Sequence, residues 1–281
     1  MATKSRPAST DAAKTHPDGI HLRLLSCNIL AGGSVRRYRQ YFTESWKQVL
    51  PTRSKRGNLD MLAGLFADFD VVGLQESDAG SLRSGFLNQT QYLAEAAEFP
   101  FWSHQPNRKI SQFAASSNGL LTRFRPVEVR DYPLPSRIPG RGALWSRFVV
   151  EGTELVVVIA HLSLGPVARR TQLDFIGELI GHHPHAILMG DLNCALDSPE
   201  LTALLKRTSL TPTHDPPPPT FPSWRPRRAI DHILVSEKVE IERMWTLQHA
   251  VSDHLPLAAH ILLPRTPRRE SAKRMSATRP A

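Results

Sequence analysis

The stretch Ala186-Ile187-Leu188-Met189-Gly190-Asp191-Leu192-Asn193 constrains this chain more than any other. Four apolar residues in a row, bounded by Pro184 and Gly190, read as a strand buried on both faces. The strand runs directly into an acid and an amide. Asp191 and Asn193 are two apart, so in extended geometry their side chains leave the same face at the strand's C-terminal end. A carboxylate beside a carboxamide can take a proton from a water, hold that water and still donate to an oxyanion. The bland alternative is a polar turn after a core strand. Two further acid–polar clusters downstream weigh against it.

Other strands follow the same plan. His21–Asn28 alternates into a strand ending on the amide of Asn28, and Gly32-Gly33 breaks it. Apolar residues at helical spacing occupy 41–69, interrupted by Pro51. Asp70–Glu76 reads as a buried strand that delivers Glu76, and an amphipathic helix is expected over Arg83–Ala97. Asn118–Phe124 and Val127–Tyr132 flank Arg125-Pro126 and read as a hairpin. Ala143–Val150 and Glu154–Ala160 pair across Glu151-Gly152, the second ending on His161. A helix follows Pro166, and Asp197-Ser198 caps a short one from Pro199. A proline-rich loop over 211–228 empties into the strand Ala229–Val235, which carries Asp231 and His232. Val239–Leu247 and Leu257–Leu263 are strand-like, with Ser252-Asp253-His254 before the second.

The net charge of +9 invites a nucleic-acid reading, but its location weakens it. Residues 265–281 hold six bases (Arg265, Arg268, Arg269, Lys273, Arg274, Arg279) against Glu270 alone. That segment, rich in Arg, Pro, Ser and Ala, cannot build a core and reads as a disordered tail able to touch polyanions. Residues 1–20 read as a flexible leader without the apolar centre of a secretory signal. One domain is therefore expected over 21–264. No apolar run nears the roughly 18–20 residues that span a bilayer, so no membrane insertion is expected and a cytoplasmic monomer is the default. Cys27 and Cys194 lack metal-ligand spacing. Each adjoins a proposed site amide, so strand alternation turns it into the core. His182, His183 and His185 read as a helix-end turn, and His232 as core or rim.

Asn28, Glu76, His161, Asp191, Asn193, Asp231, Asp253 and His254 thus stand at strand ends or in loops, where α/β folds gather ligands. Carboxylates without thiolates suit Mg²⁺ or Mn²⁺ rather than zinc. An acid beside a histidine suits an imidazolium that binds a phosphoryl oxygen. In order and spacing, Asn28, Leu74-Gln75-Glu76, His161, Gly190-Asp191-Leu192-Asn193, Ile230-Asp231-His232 and Ser252-Asp253-His254-Leu255-Pro256 resemble the motifs of the endonuclease/exonuclease/phosphatase superfamily. That group includes deoxyribonucleases, abasic-site endonucleases, neutral sphingomyelinases and inositol polyphosphate phosphatases.

The resemblance covers 21–264 and implies an α/β fold, a four-layered α/β/β/α sandwich with the site where two sheets meet. It implies Glu76 as principal metal ligand, with Asn28 and Asp253 close to the ion. Asp191 would orient or deprotonate the attacking water and Asn193 would hold that water or a phosphate oxygen. His254, paired with Asp231, would donate to a nonbridging oxygen, and His161 would bind phosphate or protonate the leaving group. Asn118 is expected at the site rim.

Substrate choice rests on loops. Ser136–Gly142 and Phe221–Arg228 together hold five arginines, suited to bidentate phosphate contacts, and two aromatics on which a base could stack. Arg83, Asn118, Arg141, Trp224, Arg225 and Arg228 are the substrate-binding candidates. The reading is a Mg²⁺-dependent phosphoesterase leaning to nuclease. A phospholipid, inositol-phosphate or other small-molecule phosphoesterase is the rival, since the same groups would hold an anionic head group. A catalytically silent binder of a phosphorylated partner is the reading from outside the enzyme class.

Overall fold

The computed structural model describes residues 15–16, 19–30, 53–81, 84, 86–110, 114–181, 183–212, 216–249 and 252–266. Two mixed sheets stand face to face. The first comprises β1 (Thr15–His16), β2 (Gly19–Asn28), β3 (Val71–Ser77), β4 (Phe101–Ile110), β5 (Ala114–Thr122), β12 (Glu240–Thr246) and β13 (Leu257–Pro264). Its order is β12-β13-β2-β3-β5-β4, with β1 on β2. The second comprises β6 (Pro126–Pro133), β7 (Gly142–Val150), β8 (Thr153–His161), β9 (Ala186–Asp191), β10 (Leu210–Pro212) and β11 (Asp231–Ser236), in the order β10-β11-β9-β8-β7-β6. Helices α1 (Arg53–Phe66) and α2 (Gln89–Ala96) pack on the first sheet, and α3 (Pro166–Ile180) and α4 (Pro199–Arg207) on the second. The result is the expected four-layered α/β/β/α sandwich.

Strand periodicity explains the layering. On β9, Ile187 and Met189 face the other sheet, where they meet Leu22, Leu24, Val71 and Leu120 of the first. Ala186 and Leu188, one residue out of phase, face Leu173, Ile176 and Ile180 of α3 and Leu201 and Leu204 of α4. On β2, Leu25 and Cys27 turn the opposite way, toward Leu59, Leu62 and Phe66 of α1. Both faces are covered, which is why these central strands read as apolar runs. Helix α4 starts on Ser198, whose hydroxyl accepts from Leu201 N, with Pro199 at its first turn. Among the described residues no helix is long and apolar enough to cross a membrane.

Topology then sets the site. β2 and β3 run parallel, as do β8 and β9, so each pair delivers its C-terminal residues to one edge. β11 starts where β9 ends, with Asp231 opposite Asp191, and His161 is opposite Asp191 on the other side.

Three expectations need correction. The segments flanking Arg125-Pro126 do not form a hairpin: β5 pairs with β3 and β4, whereas β6 pairs with β7 in the other sheet. Arg123 anchors the crossover, its backbone N donating to Asp70 O and its Nε to Phe69 O. The second helix begins at Gln89 rather than Arg83. Asp78 gathers the backbone N of Gly80 and Ser81 and the hydroxyls of Ser81 and Ser84, and this closes a loop before Asn88 caps the helix. Asn118 is not at the rim. Fully buried, it donates through Nδ2 to Gly142 O (2.8 Å) and Gln105 Oε1 (3.2 Å), tying β5 to the facing sheet. The leader up to Lys14, residues 31–52 with Gly32-Gly33 and the first part of the expected helical stretch, Leu82, Arg83, Gly85, His182 and the end from Pro267 lie outside the described residues.

Candidate active site

Gly190 opens the site. Its φ is +147°, and a Cβ there would lie 1.9 Å from Ala160 O, so β8 and β9 can close against each other only over a glycine. The close approach carries Asp191 to the edge of the second sheet, facing β2. There Asn28 Nδ2 donates to Asp191 Oδ2 (3.2 Å), bridging the sheets. The backbone N of Asn193 donates to Asp191 Oδ1 (3.0 Å), closing a tight turn with Asn193 at φ +54°. Asn193 Nδ2 donates to Leu162 O (3.0 Å), which fixes the amide plane. Glu76 also takes a left-handed backbone, φ +56°. Two non-glycine residues held in that region cost about 1–3 kcal/mol each, and such strain gathers where side-chain aim matters more than stability.

His161 and His254 flank Asp191. His161 Nε2 lies 3.4 Å from Asp191 Oδ2 and 3.9 Å from Glu76 Oε1. His254 Nε2 lies 3.7 Å from the same Asp191 oxygen, while its Nδ1 donates to Asp231 Oδ2 at 2.8 Å. The two histidines differ in charge. Burial, with Arg141 and His254 nearby, holds His161 well below the usual imidazole range, so it is neutral despite the carboxylates. Burial also opposes charge on His254, but Asp231, Asp191 and Asp253 outweigh it and push its pKa up to about 10. Asp191 moves above the usual carboxylate range because burial, reinforced by Asp231 and Glu76, exceeds the pull of His254. A carboxylate raised in this way, beside a fixed imidazolium, is suited to accept a proton near neutral pH.

Thr220, which carries no signal in the sequence, and Ser252, the first residue of the Ser252-Asp253-His254 motif, complete the framework. The Thr220 hydroxyl donates to Asp231 Oδ2, the oxygen that also holds His254. The Ser252 hydroxyl donates to Asn28 O (2.6 Å), which ties the Asp253–His254 loop to the end of β2. Ser223 clamps that loop from the other side, its N to Asp253 O and its hydroxyl to Ser252 O. Trp224 is half-buried on this loop and Arg225 is exposed. It is Phe221 whose ring lies against His254 (centroids 4.9 Å apart), with the Arg228 guanidinium 5.7 Å from the ring centroid. Arg141 lines a cleft shared with Glu76 on the opposite flank. Outside the site, His232 Nε2 is bonded to Cys194 O, His183 to Glu154 and His185 to Glu154 O, as structural histidines.

Asp191, Asp231 and His254 bring ligand-type atoms within 4.8 Å of one another. They make a poor cation cage, because His254 spends Nδ1 on Asp231 and carries a proton on the other nitrogen. On the other flank of Asp191 stand Glu76, which raises its pKa electrostatically, and Asn28, whose Nδ2 donates to it. Asp253 stands beside His254 and Asp231, and burial raises both Asp191 and Asp253. Excess negative charge on oxygen donors, with Cys27 and Cys194 buried in the core, suits a hard divalent cation.

If Asp231 sets the charge of His254, Asp231→Asn shifts the alkaline limb of the kcat/KM profile to lower pH. The sign follows from the raised pKa: the imidazolium is the competent form, it is lost as pH rises through that pKa, and removing Asp231 lowers it. An unmoved alkaline limb in the variant would remove His254 from this role.

A family model for the endonuclease/exonuclease/phosphatase family matches residues 25–254. No curated protein sequence matches. Among solved structures, an endonuclease/exonuclease/phosphatase from Beutenbergia cavernae DSM 12333 is similar with TM-score 0.67 and 19% identity, over 87% of this chain and 72% of that one. The mannosyl-6-phosphatase of Bacteroides thetaiotaomicron VPI-5482 gives 0.62 at 21% identity, over 86% and 100%. TDP2 of D. rerio, complexed with a single-strand DNA product, gives 0.62 at 17% identity, over 86% and 98%.

Proposed function

Because this chain belongs to the endonuclease/exonuclease/phosphatase family, we propose that it is a divalent-cation-dependent phosphoester hydrolase in which water activated by Asp191 attacks phosphorus directly. The observation that carries the reading is the single carboxylate of Asp191, shared among Asn28, the Asn193 backbone, His161 and His254. In the reaction a new P–O bond forms from water and one P–O ester bond breaks. The water's proton passes to Asp191, whose Oδ1 and Oδ2 are fixed by Asn193 N and Asn28 Nδ2. The imidazolium of His254, held by Asp231, donates to a nonbridging oxygen as negative charge grows there. His161 is neutral, which favours a hydrogen-bond donor to phosphate over a strong acid for the leaving group. Glu76, Asn28 and Asp253 would hold Mg²⁺, or Mn²⁺ in its place. That ion supplies charge neutralisation on the phosphate and the departing oxygen.

Substrate class divides two of the neighbours just named, one a mannosyl-6-phosphatase and one complexed with a single-strand DNA product. The lean toward nucleic acid draws support from Phe221 and Arg228 beside His254, a stacking ring under a guanidinium. The rival, a smaller or lipid phosphoester, draws support from the opposite wall, where Ile138, Leu164 and Val167 are exposed. The test of the shared reading is hydrolysis of bis(p-nitrophenyl) phosphate with Mg²⁺ or Mn²⁺. Activity is expected to vanish with chelator and return on adding the cation. Full activity in chelator would overturn the cation-dependent mechanism.

A further inference from the structure

A cleft of about 1050 Å³ opens from Glu76, walled by residues 135–141 on one side and 163–168 with Thr171 on the other. That is at the upper end of the roughly 300–1,000 Å³ of small-molecule sites, far more than a phosphate needs. Its lining is uneven. Arg137, Arg141 and Glu76 are the charged residues, and the wall Ser163-Leu164-Gly165-Pro166-Val167-Ala168 has no cationic side chain. Among the described residues the three most exposed large hydrophobic side chains are Val167 (82%), Leu164 (75%) and Ile138 (71%). All three line this one cleft. Singly exposed apolar residues are ordinary, but a cluster in a concave surface marks a binding site. Pro135 and Pro139 restrict the backbone of one wall and Pro166 that of the other.

We propose that the substrate is a lipid-type phosphoester, its phosphate at Arg141 and His161 and its hydrocarbon chain lying in the cleft against Ile138, Leu164 and Val167. The inference rests on the phosphoester-hydrolase reading and names the substrate class for that same site. A nucleic-acid strand would find Arg137 and Arg141 on one wall but no cation on the apolar wall facing them. A hydrocarbon chain gains there by leaving water.

The test is a series of p-nitrophenyl alkyl phosphodiesters, methyl to octyl, each below its micellar concentration, with the full chain and Mg²⁺ or Mn²⁺. Complete burial of a methylene is worth about fourfold, so kcat/KM is expected to rise at least about tenfold from methyl to octyl in this half-open cleft. The octyl-to-methyl ratio is expected to fall severalfold in Leu164→Ser/Val167→Ser and in Ile138→Ser. Being a ratio, it does not depend on how much of each variant folds. A flat series, a ratio unchanged in the variants, or a thymidine p-nitrophenyl ester preferred over the octyl ester would overturn the lipid assignment and leave the hydrolase reading standing. Failure to hydrolyse any ester, or hydrolysis that survives Asp191→Asn, would remove both.

Discussion

Asp191→Asn is expected to lower kcat for a phosphodiester by about 10³-fold, within the 10²–10⁴ typical of a lost general base. Asparagine keeps the shape of the side chain and its Oδ1 can still accept from Asn193 N, but its Nδ2 cannot accept from Asn28 Nδ2 and it cannot take the water's proton. The loss should not come from unfolding. In the cation-free protein the pKa of Asp191 is raised, so holding it ionised at neutral pH costs stability. A neutral amide removes that cost. In chelator, the Tm of the variant is therefore expected to equal or exceed that of the wild type while activity is lost. A variant with a much lower Tm, or one that keeps more than a tenth of its activity, would take Asp191 out of the proton-transfer role.

The second large effect is structural. Gly190→Ala places a methyl 1.9 Å from the Ala160 carbonyl oxygen at φ +147°. No side-chain movement relieves this, because the obstacle is backbone in the adjoining strand β8. Overpacking and a disfavoured φ each cost about 1–3 kcal/mol, so a loss of about 3 kcal/mol or more is expected in urea denaturation. Activity should fall with it, since His161 and Asp191 are register partners across this contact. By contrast, Gly152→Ala, in the turn between β7 and β8, meets nothing within 4 Å and pays only for its positive φ. Equal destabilisation by the two changes would show that the β8–β9 approach is not what requires Gly190.

These two neighbours, Gly190 and Asp191, also show how much was legible in the sequence. A run of apolar residues ending on Gly-Asp-Leu-Asn can be read because a strand covered on both faces has no polar positions until it leaves the core. The same logic placed Asn28, Glu76 and His161 at strand ends, and the structure brings them to one edge. What could not be read was long-range partnership. Arg125-Pro126 breaks a strand equally well in a hairpin and in a crossover between sheets, and the local residues do not say which. Asn118 is polar and lies in a strand, which fits a rim as well as a buried strut to Gly142 O. Trp224 and Phe221 stand three apart on one loop. Only the hydrogen bonds of Ser223 to residues 252 and 253 decide that Phe221 meets His254. The apolar cleft was equally hidden, because Ile138 and Leu164 are distant in sequence and each alone is an unremarkable loop residue.

Direct attack by water is the claim on which the rest depends. It is tested by hydrolysis of one enantiomer of methyl p-nitrophenyl phosphorothioate in ¹⁸O-labelled water with Mg²⁺ or Mn²⁺. The account predicts one ¹⁸O on phosphorus with inversion of configuration, and none in the p-nitrophenol. Retention would mean that an enzyme group attacked first and water only in a second displacement, and label in the phenol would mean cleavage on the carbon side. Either result would contradict Asp191 as the base for a water that attacks the ester directly.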